Sequence, residues 1–223
     1  MIKILFLEDD VLYRDTFTDF LECEGYVVDC CSNGNEFLDK TFQNVYDLYI
    51  IDINVPQING FEVMKMLREY GDETIKLVLT SIPNSAIKSF QNGCDEFINK
   101  MCDLDEIKLR IKALIRRSYQ TYSDFIVIDD NYCYDIFSKK LYFQTNAVHL
   151  TLIETSLLAC LLKNRNKYVN VNFIEKTIYP ANSNAKKNAI KFHINSLRKI
   201  FEGKFIFSEY KKGYAFFIPF QYS

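Results

Sequence analysis

The first 118 residues alternate short apolar runs with longer stretches of helical periodicity. Lys3–Leu7, Tyr26–Asp29, Leu48–Ile51, Ile75–Leu79 and Glu96–Ile98 are brief and strand-like. Between them, Val11, Leu12, Phe17, Phe20 and Leu21 recur at helical spacing up to Gly25. Gly34–Phe42, Phe61–Arg68, Ser85–Gln91 and Leu104–Arg117 read as further helices, with Gly71 and Gly93 as stops. Strands that are apolar almost throughout, rather than at every second position, belong to parallel sheets covered on both faces. The pattern therefore predicts a five-stranded, doubly wound α/β domain over 1–118.

The rest of the chain has a different rhythm. Arg116–Asp124 is polar and aperiodic, and 119–124 is expected to be a linker. Phe125–Ile128, Tyr132–Asp135, Leu141–Phe143 and Val148–Leu150 are β-type runs separated by Asp, Asn, Ser and Lys, which predicts a small antiparallel sheet. Thr151 and Glu154 stand at capping-box spacing before a helix with Leu157, Leu158, Leu161 and Leu162 on its apolar face. Val171–Ile178 is a second helix, stopped by Pro180. Ala181–Ala185 reads as a loop and Lys186–Phe201 as a third helix. Phe205–Phe207 and Tyr214–Phe217 pair as a terminal hairpin, making 125–223 an α+β domain.

The polar residues that end the strands carry chemistry. Glu8 and Asp9 follow the first, Asp52 ends the third, Thr80 ends the fourth and Lys100 follows the fifth. Open α/β sheets place their binding crevice at that edge. Three carboxylates gathered there repel one another, and a divalent cation relieves the repulsion. Hard oxygen ligands suit Mg²⁺, which accepts phosphate oxygens as well. Lys100 and the Thr80 hydroxyl are suited to a phosphoryl group. Taken singly, each acid also reads as a turn or cap residue, Thr80 as a helix cap and Lys100 as a surface charge.

Charge sharpens the division. Residues 1–118 carry 13 Lys/Arg against 21 Asp/Glu, net −8, and residues 119–223 carry 14 against 8, net +6. A basic half is the electrostatic footprint of nucleic-acid binding. Seven scattered cysteines without a C-x-x-C pair indicate neither a zinc site nor a disulfide framework, so a reducing cytoplasm is expected. No apolar stretch reaches the length of a membrane helix, and no signal peptide is evident, so no membrane role is expected.

Residues 1–118 resemble a response-regulator receiver domain, on L-E-D-D at 7–10, D-I-N-V-P-Q-I-N-G at 52–60, L-T-S at 79–81 and G-C-D-E-F-I-N-K at 93–100. The resemblance implies Asp52 as phosphoacceptor. It implies Glu8, Asp9, Asp52 and the backbone carbonyl of Asn54 as Mg²⁺ ligands, Thr80 and Lys100 as the hydroxyl and lysine partners, and Phe97 as the aromatic switch. Asp10 is an acid that the pattern does not require. Met101 replaces the usual proline, Ser81 the commoner alanine, and the interval from Thr80 to Lys100 is about two residues short.

In the third helix of the second half, Ile190, Ile194, Leu197 and Phe201 form a buried stripe. Asn188, Lys191, Phe192, Asn195 and Lys199 occupy the opposite face, with Ser196 and Arg198 at its edges. His193 lies beside the stripe as a packing or phosphate-contacting residue. L-T-L-I-E-T-S-L-L at 150–158, F-H-I-N-S-L-R-K at 192–199 and K-G-Y at 212–214 resemble the winged-helix effector of the OmpR/PhoB family. The resemblance makes 186–201 the recognition helix and 208–214 the wing. It adds Lys187, Lys211 and Lys212 to the DNA-facing set, although Tyr210 and Lys211 stand where the family commonly has Arg and Gly.

The implied protein is a transcriptional regulator, controlled by a sensor histidine kinase, that binds tandem or repeated half-sites in the promoter major groove and works with RNA polymerase. The family resemblance also implies a homodimer through the fourth helix, fifth strand and fifth helix. Asp95 or Glu96 with Arg110 or Arg117 are its candidate salt bridges, and Ala86 replaces a basic partner for Glu106. One rival is an atypical regulator that binds DNA constitutively. Another is an aspartate-nucleophile phosphatase, which would need D-x-D, whereas Asn54 follows Asp52 at that spacing. A regulator that accepts a phosphoryl group without being an enzyme is the leading expectation.

Overall fold

The computed structural model describes residues 1–180 and 187–218, with side chains from Ala189 onward in the second segment. Contacts divide it into two compact units, Met1–Ile115 and Arg116–Ser223.

The first unit holds β1 (Lys3–Leu7), β2 (Val27–Cys31), β3 (Leu48–Ile51), β4 (Ile75–Thr80) and β5 (Glu96–Asn99) in one parallel sheet, order β2-β1-β3-β4-β5. The connecting helices are α1 (Val11–Cys23), α2 (Gly34–Gln43), α3 (Gly60–Glu69) and α4 (Ala86–Gln91), with α5 (Leu104–Ser118) after the last strand. β1 and β3 are buried along almost their whole length, as strands covered on both faces must be. The strand order turns at β1, so the loops after β1 and β3 open outward from neighbouring strands and form a crevice.

Local chemistry fixes those loops. Asp10, the acid that the receiver pattern does not require, caps α1 by accepting the Tyr13 amide at 2.9 Å. Asn59 and Glu62 close a capping box on α3. At Gly60 the chain passes so close to the end of β3 that a Cβ would strike the Asp52 carbonyl. Glycine there lets α3 start directly against the strand that carries Asp52. The Lys100–Met101 bond is trans, like the others among the described residues. The Asn99 side chain accepts the Met101 amide at 2.8 Å, so an Asx turn shapes the loop where the family has proline.

In the second unit, β6 (Phe125–Val127), β7 (Tyr132–Asp135), β8 (Lys140–Phe143) and β9 (Asn146–Val148) form an antiparallel meander. The fourth strand was expected at Val148–Leu150. It lies earlier because Gln144 adopts φ 53° and closes a two-residue turn with Thr145, which pairs Phe143 with Asn146. The helices are α6 (Leu152–Lys163), α7 (Val171–Ile178) and α8 (Lys187–Ile200), and β10 (Ile206–Glu209) and β11 (Gly213–Phe216) make the terminal hairpin. The expected capping box at Thr151 and Glu154 is formed. Ile190, Ile194, Leu197 and Phe201 are fully buried, joining Leu157, Leu161 and Ile174 in one core. The expected loop Ala181–Ala185 and the helix start at Lys186 lie outside the described residues.

Tyr119, at the start of the segment expected as a linker, is fully buried 6.2 Å from the Tyr134 ring. Arg165 donates to the carbonyls of Tyr119 and Gln120, and Gln120 donates to the Lys163 carbonyl at 3.0 Å. The polar sequence around Tyr119 gave no sign of this docking.

Candidate functional site

The crevice brings together residues far apart in the chain. Glu8 follows β1 with no exposed surface, Asp52 follows β3 nearly buried, and Asp9 is exposed beside them. One carboxylate oxygen from each lies within 4.8 Å of the others. Lys100 arrives from the end of β5 and bridges the cluster. Its ammonium lies 2.6 Å from Asp52 Oδ2 and 2.5 Å from Glu8 Oε2. Burial pushes the Glu8 carboxyl above its ordinary range, relieved in part by Lys100. Burial also opposes the charge of Lys100, but its hydrogen bonds to Asp52 and Glu8 outweigh that and hold its pKa above the usual lysine value.

The donor set fits a hard cation: the carboxylates of Glu8, Asp9 and Asp52 each bring one oxygen to the same small volume. Asp52 Oδ1 accepts the Asn54 amide at 3.2 Å, which orients the carboxylate and curls the backbone that carries the Asn54 carbonyl. Thr80 is wholly buried at the end of β4, and its hydroxyl oxygen takes only a long contact, 3.4 Å, from the Ile82 amide. Ser85, not Thr80, stands at the α4 N-cap position. Phe97, half-buried, lies opposite Val78 in the neighbouring strand and packs on the core. Tyr13 was not singled out in the sequence. Its ring lies under the Lys100 ammonium, 4.6 Å from nitrogen to centroid.

On α8, Lys191, Phe192, Asn195 and Lys199 are exposed, while Ser196 and Arg198 are half-buried. Ser196 hydrogen-bonds to Glu154, and Arg198 Nε donates to the Ile206 carbonyl at 3.0 Å. The side chains of Lys187 and Asn188 lie outside the described residues. His193 packs edge-on against the Phe192 ring. In the hairpin turn, Lys211 is exposed at φ 66° and Lys212 pairs with Glu209 at 2.7 Å.

Comparisons with known proteins agree with both units. The family profile "Response regulator receiver domain" matches residues 4–112, and "Transcriptional regulatory protein, C terminal" matches 145–216. The response regulator protein PmrA of Pseudomonas aeruginosa is 30% identical over 200 residues, 89% of this chain and 90% of its own. The chain is a response regulator of the OmpR/PhoB family. The transcriptional regulatory protein CiaR of Streptococcus pneumoniae is also 30% identical, over 91% of each chain. Among solved structures, the receiver domain of the Francisella response regulator 1452 is similar with TM-score 0.51 and 25% identity, covering 53% of this chain and 99% of that one. The response regulator thus joins a receiver to a DNA-binding domain and regulates transcription under phosphorylation control. Its receiver implies a histidine kinase partner and its effector implies DNA. No helix among the described residues is long and apolar enough to cross a membrane.

Proposed function

We propose that Asp52 accepts the phosphoryl group from a phosphohistidine of a sensor kinase. The P–N bond breaks, a P–O bond to Asp52 forms, and the histidine keeps the electron pair and regains a proton. The supporting observation is the Lys100 ammonium held between Asp52 and Glu8 at the crevice mouth, beside the acidic cluster. Glu8, Asp9, Asp52 and the Asn54 carbonyl hold Mg²⁺ in this reading, and the cation lets an anionic acceptor meet an anionic donor. Thr80 and Lys100 take phosphoryl oxygens, and Phe97 follows the movement of Thr80.

In the same reading the domain limits are 1–118 and 125–223, with 119–124 as the joint. α8 enters the major groove with Lys191, Phe192, Asn195 and Lys199 toward DNA. Lys187, Asn188, Ser196 and Arg198 flank them, and Lys211 and Lys212 serve the wing. Ile87 and Phe90 of α4 and Leu109 of α5 are exposed large apolar residues on the elements assigned to the homodimer. Arg110 pairs with Glu96 at 3.4 Å and Glu106 at 2.8 Å within the chain, so dimerisation through these charges requires partner exchange. The dimer presents two effectors to repeated half-sites and to RNA polymerase, in the cytoplasm. Intact-mass measurement with Mg²⁺ and phosphoramidate tests the core of the proposal. One phosphoryl adduct is expected on the wild type and none on Asp52→Asn. An adduct that persists on Asp52→Asn places the acceptor elsewhere.

A further inference from the structure

Lys100 has two carboxylate partners, and both belong to the acidic cluster that a cation would claim. A divalent ion drawn to Glu8 and Asp52 weakens the hold of those oxygens on the ammonium just when the ammonium has to stay in place for an incoming phosphoryl group. The third contact of Lys100 is of another kind. The Tyr13 ring lies 4.6 Å from the ammonium nitrogen, within cation–π range, and an aromatic face offers a hard cation no oxygen ligand.

The ring is firmly placed. The Tyr13 amide is bound by the Asp10 cap at 2.9 Å. The ring stacks on Phe17 at 5.8 Å and 18°, and Phe17 packs on Phe6 of β1 at 5.4 Å. The phenol oxygen is buried without a hydrogen-bond partner. Burial, with the negative charge of Glu8 and Asp52, pushes its pKa far above the usual tyrosine value, so the phenol carries no competing charge. Packing therefore holds Tyr13, and its hydroxyl is not needed for that placement.

We infer that Tyr13 is a positioning residue for phosphoryl transfer, its ring keeping the Lys100 ammonium beside Asp52 when a cation occupies the carboxylates. This rests on the proposed phosphorylation of Asp52. With phosphoramidate as donor, the P–N bond breaks, the P–O bond to Asp52 forms, and ammonia leaves with the nitrogen electron pair and a proton. The ring takes no part in bond making and acts only through Lys100.

The test compares Tyr13→Leu and Tyr13→Phe in the full chain. Saturating Mg²⁺ and phosphoramidate give the rate of adduct formation by intact mass, and calorimetry gives the Mg²⁺ affinity. Tyr13→Leu should slow phosphorylation about two- to thirtyfold, the range from an exposed to a desolvated cation–π contact. Tyr13→Phe, which keeps the ring, should recover most of the rate. Acylation of Lys100 in Mg²⁺-loaded protein, read by peptide mass, should be faster in Tyr13→Leu than in the wild type and Tyr13→Phe. Wild-type protein that takes no adduct on Asp52 overturns this inference and the phosphorylation proposal together. A wild-type adduct with Tyr13→Leu equally fast overturns the inference alone. So does Tyr13→Phe as slow as Tyr13→Leu, since the hydroxyl would then be the active group. A Mg²⁺ affinity lost in proportion to the rate in Tyr13→Leu also overturns it, because the pocket as a whole would have been damaged.

Discussion

Among the described residues, Lys100 is the single cation set directly against two acids of the receiver pocket, and its removal should have opposite effects on two measurable quantities. In Lys100→Met, Glu8 and Asp52 lose the ammonium at 2.5 and 2.6 Å and face each other without compensation. Breaking a buried ion pair from one side is destabilising. The receiver should melt several degrees lower in metal-free buffer. The same loss removes a charge that repels Mg²⁺, so Mg²⁺ should bind about three- to tenfold more tightly. Scanning calorimetry and Mg²⁺ titration check both, and an Mg²⁺ affinity that is unchanged or weaker would sink the argument. Glu8, Asp52, Thr80 and Lys100 could be singled out in the sequence because each sits at the end of a recognisable strand. Tyr13 could not be, since an aromatic four residues before Phe17 reads as one more core position. Its contact with Lys100 is made between elements that the sequence places far apart.

Elements are set by their ends as much as by their faces. α6 is buried without a break from Leu157 to Leu162, whereas Leu152 at its start is exposed, so capping rather than burial fixes where it begins. Thr151 and Glu154 provide the reciprocal cap, and Ser196 of α8 hydrogen-bonds to the same carboxylate. Thr151→Ala should cost about 1 kcal/mol, read as a lower melting transition of the effector in the full chain. Burial works against the Glu154 carboxylate, but its hydrogen bonds with Ser196 and Thr151 outweigh that and hold its pKa below the ordinary 4.5. A carboxylate depressed in the folded state contributes stability above its unfolded pKa and loses it as pH falls through the folded value. Effector stability should therefore decline on acidification below about 4.5, and Glu154→Gln should flatten that decline. An acid limb as steep in Glu154→Gln would assign it to other groups. The cap was legible because its spacing is a chemical signature. The start of β9 was not, because a glutamine at positive φ closes the turn where glycine or asparagine would have announced it. Tyr119 was likewise hidden, as a single aromatic among polar residues gives no periodicity to read.

At the scale of the whole molecule, charge separates the tasks: net −8 over 1–118 and +6 over 119–223. That division was legible from the sequence, as was the buried stripe of α8. The contacts of Ser196 with Glu154 and of Arg198 with the Ile206 carbonyl were not, because they join elements that the sequence keeps apart. Lys191, Asn195 and Lys199 remain exposed along one line of α8, four residues apart. A lysine on that line neutralises phosphate without reading sequence, so Lys199→Ala should weaken all duplexes about equally and reduce the salt slope by roughly one unit. An asparagine amide matches the adenine edge, so Asn195→Ala should relax preference at one base position. It should cost about 1–3 kcal/mol on the best site and little on random DNA. In the proposed function, phosphorylation enters through the dimer. Beryllofluoride with Mg²⁺ should tighten binding to paired half-sites spaced roughly 10–10.5 base pairs apart and leave binding to a single half-site nearly unchanged. Titrations of fluorescent duplexes at several salt concentrations distinguish these outcomes. Equal tightening on single and paired half-sites would mean that the receiver acts on the effector within one chain rather than by bringing two chains together. Unchanged binding by both α8 variants would remove that helix from the DNA interface altogether.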